Sequence, residues 1–539
     1  MWAGYMKHPG SRCTAWLMFL VLAPCAGVSA QQLHLADAVH LALIQNPDIK
    51  VQRTQVEAAF GQQQQAAGQF DWAVSSGLNY ERTISPLTGS AVSSGAYGSV
   101  DRTRVFATGY QAALSKQLRN GLIVGAGFDA SGTQDATLSP AARQQNLARL
   151  NVSLTVPLLQ GHGQAVTAVE DAAALTAQAR RYDLLDSAAH ALYNTLVAYW
   201  TYRARIELEK IAISSEERSR SLLESTQKLV DASEKPAADL VLLKADLADK
   251  VAAREAATLA RTEARQALGR LLGLDASAIA ALPEPAEALP GGAAPPQAKL
   301  PSLAVLRAQA LARRPDVRAL ALLLDAAQRN VEGARDLLKP RLDLNMGLAY
   351  SKASEGEGRY RLFSEPGRYQ SAPSVFATLS FAFPIANNQA KGLVRERSAA
   401  LSQVAIQQSD LATGVATGVD FALQSLMSSA SQLDVGRSGL ALYEQAVRQE
   451  ITKQRNGIST LIDVINTEAR FINARISFLQ AQLAYATAIA RLRLETGTLV
   501  PVSDTSDRFS LDPDDLGGFG PLASQTFTPS PARTEDHEK

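Results

Sequence analysis

Cysteine, histidine and long apolar runs are scarce in this chain of 539 residues, and each scarcity excludes a class of function. The two cysteines, Cys13 and Cys25, lie near the start, so the chain beyond residue 30 has neither a disulfide nor a reactive thiol. None of the histidines beyond residue 30 has a second ligand at metal-site spacing. No segment reaches the roughly twenty consecutive apolar residues that a membrane-spanning helix requires.

Motifs that carry catalysis are also missing. The sequence contains no phosphate-binding loop, no nucleophile elbow and no glycine pattern of a dinucleotide site. Lysine and arginine number 53 against 52 aspartate and glutamate residues, so no broad positive surface favours nucleic acid. The sequence therefore predicts neither an enzyme nor a nucleic-acid-binding protein, and it indicates no cofactor and no metal.

The first thirty residues have the pattern of an export signal, and we predict a signal peptide over 1–30. Acylation of Cys25 is the alternative, although the preceding Pro24 fits a lipidation site poorly. A positive flank, an apolar stretch and a small-residue cleavage site follow one another: Lys7 and Arg12, Trp16 to Ala23, and Val28-Ser29-Ala30.

The chain contains an internal repeat. Residues 36–80 return in altered form at 304–350, and four further positions of the first half recur in the second at one constant spacing. The unit is far longer than a solenoid module, which favours one pseudo-symmetric body. The recurring pairs are Asp239 and Asp463, Ala245 and Ala469, Leu268 and Leu492, and Gly273 and Gly497. We predict a first repeat over 31–282, a linker over 283–300, a second repeat over 301–500 and a disordered tail over 501–539.

Apolar and polar residues alternate in four segments, two in each repeat. The segments are 72–80 and 150–156 in the first repeat, and 342–350 and 375–383 in the second. Strands of about ten residues with one apolar face have the length to cross a bilayer as part of a barrel. A water-soluble sandwich shows the same alternation, so export supplies the argument for the membrane.

The first repeat has an additional alternating hairpin. Its strands are predicted over 104–118 and 122–133, and Asn120-Gly121 between them suits a tight type I′ turn. We place this turn on the periplasmic side, because the other connections are long and polar like extracellular barrel loops. Those connections are 84–103, 131–147 and 353–374.

Two proline-free segments predict helices of unusual length. They run from about 163 to 232 and from 388 to 455, roughly 100 Å each at the helical rise. Apolar residues recur at every seventh position, which is typical of a coiled-coil seam. The heptad positions are Leu185, Leu192, Tyr199, Ile206 and Ile213; Val419, Leu426, Leu433, Leu440 and Val447; and Phe471, Phe478, Tyr485 and Leu492.

Together these parts resemble the TolC family of outer-membrane efflux and secretion channels over roughly 35–500. The resemblance implies an α+β membrane channel, in which a trimeric outer-membrane β-barrel continues into a long periplasmic α-helical coiled-coil barrel, with two structural repeats per chain. It rests on paired turns, strand ends and one tip segment: Asn46-Pro47-Asp48 and Arg314-Pro315-Asp316, Val156-Pro157-Leu158 and Phe383-Pro384-Ile385, and 457–466 with Gly497-Thr498-Leu499.

The resemblance also implies partners and a mode of action. A homotrimer in outer-membrane lipid would act as a passive trans-envelope conduit, supplied by an inner-membrane transporter through a periplasmic adaptor. This is the arrangement of a tripartite efflux pump or a type I secretion system, and the sequence leaves these two open. The usual family member gives four strands per chain and a twelve-stranded barrel, whereas six strands per chain would give eighteen.

The resemblance places a periplasmic aperture at the far ends of the long helices. Of two aspartates one helical turn apart in the family archetype, the first matches Asp463 and the second is Asn466. A tyrosine and an arginine that close the archetype match Gln454 and Ser459. We predict a three-fold ring of Asp463 at the narrowest point, with weaker closure. The matching aspartate of the first repeat is Asp239, and the tip turn is Asn456-Gly457.

Two other classes of protein share some of these features. A structural coiled-coil fibre or adhesin anchored by a barrel would have the seam, but the repeat of the tips argues against it. A periplasmic adaptor has a single long helical hairpin between lipoyl-like halves, whereas this sequence predicts two hairpins flanking strands. The channel is therefore the favoured hypothesis.

Overall fold

The computed structural model describes residues 32–86, 102–135, 144–233, 236–290, 301–355 and 370–500. The predicted signal peptide with Cys25, the tail 501–539 and most of the three long loops lie outside these residues.

Each repeat begins with short helices, continues into strands and ends with two long helices. The first repeat contains α1 (Leu35–Gln45), α2 (Pro47–Ala67), a 3-10 turn (Gly68–Phe70), β1 (Ala73–Pro86), β2 (Arg102–Gln117), β3 (Ile123–Asp135), β4 (Gln144–Pro157), α3 (Gln164–Asp231), α4 (Ala238–Leu271) and α5 (Ala276–Ala280). The second contains α6 (Leu303–Arg313), α7 (Pro315–Asp336), β5 (Arg341–Glu355), β6 (Gln370–Ala382), α8 (Asn388–Arg455) and α9 (Leu461–Glu495).

The six strands form one antiparallel sheet in chain order, β1 to β6. The predicted additional hairpin is confirmed: β2 pairs with β1 on one side and with β3 on the other, and β3 pairs with β4. The strands have 13 to 16 residues and are longer than the predicted ten. Their polar outer ends continue the backbone ladder, so pairing extends into segments that the alternation assigned to loops.

The two long helices are confirmed, since α3 and α8 have 68 residues each and span about 100 Å. Near the sheet the helices pack in the order α2, α3, α7, α8; further away the order is α4, α3, α9, α8. The edges of the lower layer are therefore α4 and α8. Across the described segments, no helix combines the length and apolarity needed to span a membrane.

The heptad positions are buried or half-buried with one exception. Leu192, Tyr199 and Leu433 are completely buried. Ile213 is exposed, which contradicts its predicted place in the seam, and Ile211 is buried instead. A straight helix has 3.6 residues per turn, so its buried face drifts away from a strict sevenfold spacing.

The two glycines that recur at the repeat spacing occupy equivalent packing sites in the two repeats. Gly273 and Gly497 end the last long helix of each repeat with φ of 68° and 66°. A Cβ on Gly273 would collide with the backbone at Gln45, and one on Gly497 would lie 3.0 Å from the backbone nitrogen of Arg314. Each returning helix thus docks against the turn before α2 or α7, and both sites require glycine.

The described part of the linker packs against the helices. Leu33 forms a parallel bridge with Pro285, and Glu287 accepts hydrogen bonds from the Leu35 amide at 3.2 Å and from the Tyr199 hydroxyl. Tyr199 is fully buried on α3, and burial raises the pKa of its hydroxyl. Residues 283–290 therefore pack against α3 near Tyr199, about midway along that helix.

Candidate functional site

The sheet has one apolar and one polar face. The strand register places Val74, Leu114, Val152 and Leu348 on the same side of their strands. The apolar side chains are among the most exposed of the chain; Leu78 and Val375 are 80% and 78% exposed. A soluble domain would bury such a face, whereas a barrel presents it to lipid.

Aromatic side chains of the additional hairpin lie on the apolar face. Tyr110 is opposite Leu78, and its ring lies 6.3 Å from that of Phe128. At the end of the sheet nearest the helices, the Lys116 amine lies 5.4 Å from the centre of the Trp72 ring. Aromatic rings beside cationic groups are typical of the interfacial girdle of a membrane barrel.

The tip of the second hairpin is a tight glycine turn. The Ile458 amide donates to the carbonyl of Lys453 at 2.9 Å, and the Gly457 amide donates to that of Gln454 at 3.1 Å. Gly457 has φ of 71°, which closes a Schellman-type end on α8. The predicted tip turn at Asn456-Gly457 is thus observed, and Gln454 lies in the last turn of α8.

Asp463 lies on the first turn of α9 and is exposed. Its carboxylate accepts the Thr460 amide at 3.1 Å, while the Asp463 amide donates to the Thr460 hydroxyl oxygen at 3.3 Å. This reciprocal pair is a capping box. The Thr460 hydrogen bonds lower the pKa of Asp463, so its carboxylate remains charged. Capping is therefore one role of this residue, whatever it does in an aperture.

A small polar network surrounds the cap. The Ser459 hydroxyl donates to the carboxylate of Glu450, which also accepts Lys453 Nζ at 3.1 Å. These contacts, the Ser459 hydrogen bond first, lower the pKa of Glu450. Sequence reasoning missed Glu450 and Thr460. The Thr-x-x-Asp spacing signals a helix start, whereas no local pattern announces the Glu450 contact across the turn.

The other two residues predicted at the aperture, Asn466 and Asp239, lie near the tips of the long hairpins. Asn466 is exposed one helical turn beyond Asp463 on α9. Asp239 lies on the first turn of α4, at the tip of the other long hairpin. The structure thus brings Gln454, Ser459 and Asp463 together at one tip and places Asp239 at the second.

Ion pairs connect the two hairpins above their tips. Arg218 on α3 contacts the carboxylate of Glu468 on α9. Within the first hairpin, the Ser219 hydroxyl donates to Asp246 Oδ2 at 2.6 Å, and Glu216 contacts Arg254 Nε at 2.6 Å. Over the described ranges, no three potential metal ligands cluster.

Comparison with known proteins identifies this combination of sheet and helices. Residues 306–498 match the family model described as outer membrane efflux protein. The second half of the chain is therefore similar to the outer membrane efflux protein family. No curated protein sequence matches the chain.

Solved structures of outer-membrane channels have the same fold. OprN, an outer-membrane channel, is 18% identical with a TM-score of 0.62, covering 86% of this chain and 90% of its own. CusC is 15% identical with a TM-score of 0.64, at 86% and 92% coverage. CmeC of Campylobacter jejuni is 15% identical with a TM-score of 0.63, at 89% and 88% coverage.

The chain thus has the TolC-like fold of outer-membrane channels, with long helices and antiparallel strands, and its residues 306–498 match the outer membrane efflux protein family. Channels of the efflux protein family are non-enzymatic conduits. The polar face of the sheet and the tips of the long hairpins are therefore the candidate functional surfaces.

Proposed function

We propose that this chain forms a homotrimeric, passive conduit through the periplasm and outer membrane, supplied by an inner-membrane transporter through a periplasmic adaptor. The main support is a sheet with one exposed apolar face, whose edge strands β1 and β6 each pair with one strand only among the described residues. Helices about 100 Å long continue from this sheet. Six strands cannot enclose a channel, and open sheet edges are not stable in lipid. Further copies of the same chain supply the missing strands.

The free edges of the helical layer have matching surfaces. On α4, the exposed residues Ala245, Ala248, Ala252 and Leu259 follow heptad-like spacing about 200° from the side that packs on α3. On α8, Val435 and Leu442 are 70% and 67% exposed, opposite the side that packs on α9. The remaining positions of these stripes are uncharged: Val241 and Ala256 on α4, and Ser428, Ser431, Ser438, Gln445 and Gln449 on α8.

The two stripes also match in height. The contacts Glu216–Arg254, Arg218–Glu468 and Phe421–Arg491 link α4 through α3 and α9 to α8. Counting along the helices from these contacts places Ala252 at about the height of Leu442, and Leu259 at about that of Val435. In a trimer, α4 of one chain therefore packs on α8 of the next through small and apolar side chains.

Trimer closure is tested by disulfide formation between copies. In the Ala252→Cys, Leu442→Cys double variant, we expect cross-linked dimers and trimers from outer membranes on non-reducing gels. The control pairs Ala245→Cys with Val435→Cys, whose positions differ in height by about 21 Å, beyond the reach of a disulfide. Equal cross-linking of both pairs, or none of either, contradicts this interface.

We further propose that Asp463 forms a three-fold ring of carboxylates at the periplasmic aperture, with Asn466 on the next turn. Its low pKa keeps the charge in place, and three like charges around a narrow opening favour cations. Asp239 belongs to the other hairpin and lies nearer the rim. Gln454 and Ser459 replace the family's lock, so closure depends on contacts such as Arg218–Glu468.

Two substitutions distinguish the proposed role of Asp463 in the aperture from its role in the helix cap. Asp463→Asn keeps an oxygen that can accept the Thr460 amide but removes the charge, so cation selectivity in planar bilayers should fall towards unity. Thr460→Val removes the capping hydroxyl and keeps the charge, so selectivity should hold. Asp239→Asn should change selectivity less. Wild-type selectivity in Asp463→Asn would remove this residue from the constriction.

A further inference from the structure

The β2–β3 hairpin is inserted into the middle of the sheet. Every β2 residue from Val105 to Gln117 has a Cα partner on β3, and those from Val105 to Ser115 also have one on β1. On the far side, β3 continues the ladder with β4 from Ile123 to Gln134. An extracellular excursion would leave β1 paired directly with β4. The hairpin is therefore part of the wall.

The turn of this hairpin is fixed to the helical layer. Arg119 donates from Nε to Glu170 Oε2 at 2.9 Å and from Nη2 to Oε1 at 2.6 Å, so the pair is bidentate. The same guanidinium lies 4.9 Å from the centre of the Phe70 ring. Phe70 follows α2 and Glu170 lies on α3, so Arg119 bridges the gap between these helices.

Gly121 allows the turn to approach this closely. Its φ is 96°, and a Cβ there would collide with the carbonyl of Gly161 in the β4–α3 connection. The Gly161 amide in turn donates to Asp336 Oδ2 at 2.6 Å, at the end of α7. The additional hairpin is thus seated on the same junction that joins the other strands to their helices.

The extra strands match the width of the sheet to that of the helices. Strands about 4.8 Å apart and tilted by about 45° each take about 6.8 Å of circumference, so six cover about 41 Å. Four helices about 10 Å apart cover about 40 Å, whereas four strands would cover only about 27 Å. In a trimer, six strands per chain give a backbone radius of about 19 Å instead of about 13 Å.

The polar face of the hairpin adds width with little charge. Gly109 lies against the side chain of Asn79, and Gly127 lies against that of Asn151. Asp129 is opposite Arg149 in the register and accepts the amide of Asn151 at 3.2 Å. Besides Asp129 and the terminal Asp135, the polar-face residues of these strands are uncharged: Thr103, Val105, Ala107, Gly109, Gln111, Ala113, Ser115, Gln117, Ile123, Gly125, Gly127, Ser131 and Thr133.

We infer that the β2–β3 hairpin completes an eighteen-stranded barrel whose lumen admits bulky, uncharged hydrophilic polymers that a twelve-stranded barrel of this fold excludes. This inference rests on the proposed trimer. With about 5 Å of inward side chains, the free radius is about 14 Å with the hairpin and about 8 Å without it. The hairpin widens the lumen with mostly uncharged side chains, so it changes the size limit more than the charge selection at this level of the channel.

The test measures which polymers reach a cysteine deep in the barrel. Thr378→Cys lies on the polar face near the periplasmic end of β6, and Leu379→Cys lies next to it on the apolar face. Intact cells are treated with maleimide-polyethylene glycols of graded size. We expect Thr378→Cys to react up to a radius of about 14 Å, and Leu379→Cys not to react. A cut-off of about 8 Å, the radius of a twelve-stranded barrel, overturns the inference.

A shortened chain provides the comparison. Removing residues 102–135 joins the two extracellular connections and leaves four strands, so the cut-off at Thr378→Cys should fall to about 8 Å. An unchanged cut-off contradicts a role of the hairpin in the wall. If the shortened chain does not assemble, Gln111→Cys in the full chain decides: it should react with an impermeant maleimide while Tyr110→Cys should not. If the Ala252–Leu442 cross-link does not form, that result contradicts the proposed trimer interface and not the position of the hairpin in the sheet.

Discussion

Arg314→Ala is expected to lower the free energy of unfolding by about 3 kcal/mol, because it leaves the partly buried Asp316 carboxylate without its cation and Glu495 with Arg491 alone. The Arg314 side chain is only 13% exposed. Its guanidinium donates to Asp316 Oδ1 and Oδ2 at 3.1 and 2.8 Å, and to Glu495 Oε2 at 2.7 Å. It therefore joins the start of α7 to the end of α9, where the second repeat closes on itself.

Urea unfolding of the detergent-solubilised protein measures this effect. Arg329→Ala is the matched control, since Arg329 pairs with Glu332 on the exposed side of α7 at 3.0 Å. Such an exposed pair contributes at most about 0.5 kcal/mol. Equal unfolding midpoints and slopes for the two variants would show that the ion pairs of Arg314 do not stabilise the fold.

Removing the Arg218–Glu468 pair should open the periplasmic end of the channel. This contact joins the two long hairpins, and its Glu468 side chain is 22% exposed. Loss of about 1 kcal/mol from the closed state shifts a closed–open equilibrium by about fivefold. Arg218→Ala and Glu468→Ala should therefore each raise the mean conductance in planar bilayers severalfold if the closed state predominates.

A double-mutant cycle shows whether the pair acts as a unit. The double variant should conduct like either single variant, because the contact can be lost only once. Lys210→Ala is the control, since Lys210 pairs with Glu207 within α3 at 3.2 Å and does not link the hairpins. If the conductance increases of the two single substitutions add up in the double variant, this contact is not what holds the channel closed.

Periodicity made the elements predictable from the sequence. The proline-free segments 163–232 and 388–455 coincide with α3 and α8, because nothing in them interrupts a helix. The alternating residues also gave the correct faces for β1 to β6, since side chains along a strand must alternate. Asn120-Gly121 correctly placed the turn of the additional hairpin, but the predicted type I′ conformation is wrong, because Gly121 has positive φ and Asn120 does not, and the Gly121 amide donates to the Leu118 carbonyl at 2.8 Å.

Contacts between distant segments were not predictable in this way. The sequence assigned Asp463 to an aperture, whereas the structure also engages its carboxylate in the capping box with Thr460. It treated 283–300 as a linker, but Glu287 binds Tyr199 and Leu35 from that segment. The pairing of Arg218 with Glu468 joins two helices from different repeats, and no pattern within one helix encodes it.

The sequence by itself determined which residues form helices and strands, which face of each strand is apolar, and that the chain folds as two related halves. These properties depend on neighbours two to seven positions apart. Only the tertiary structure decided that the additional hairpin lies inside the sheet and that Arg119 fixes its turn between Phe70 and Glu170. Such contacts arise when distant segments pack together, and their partners are selected by distance and shape in three dimensions.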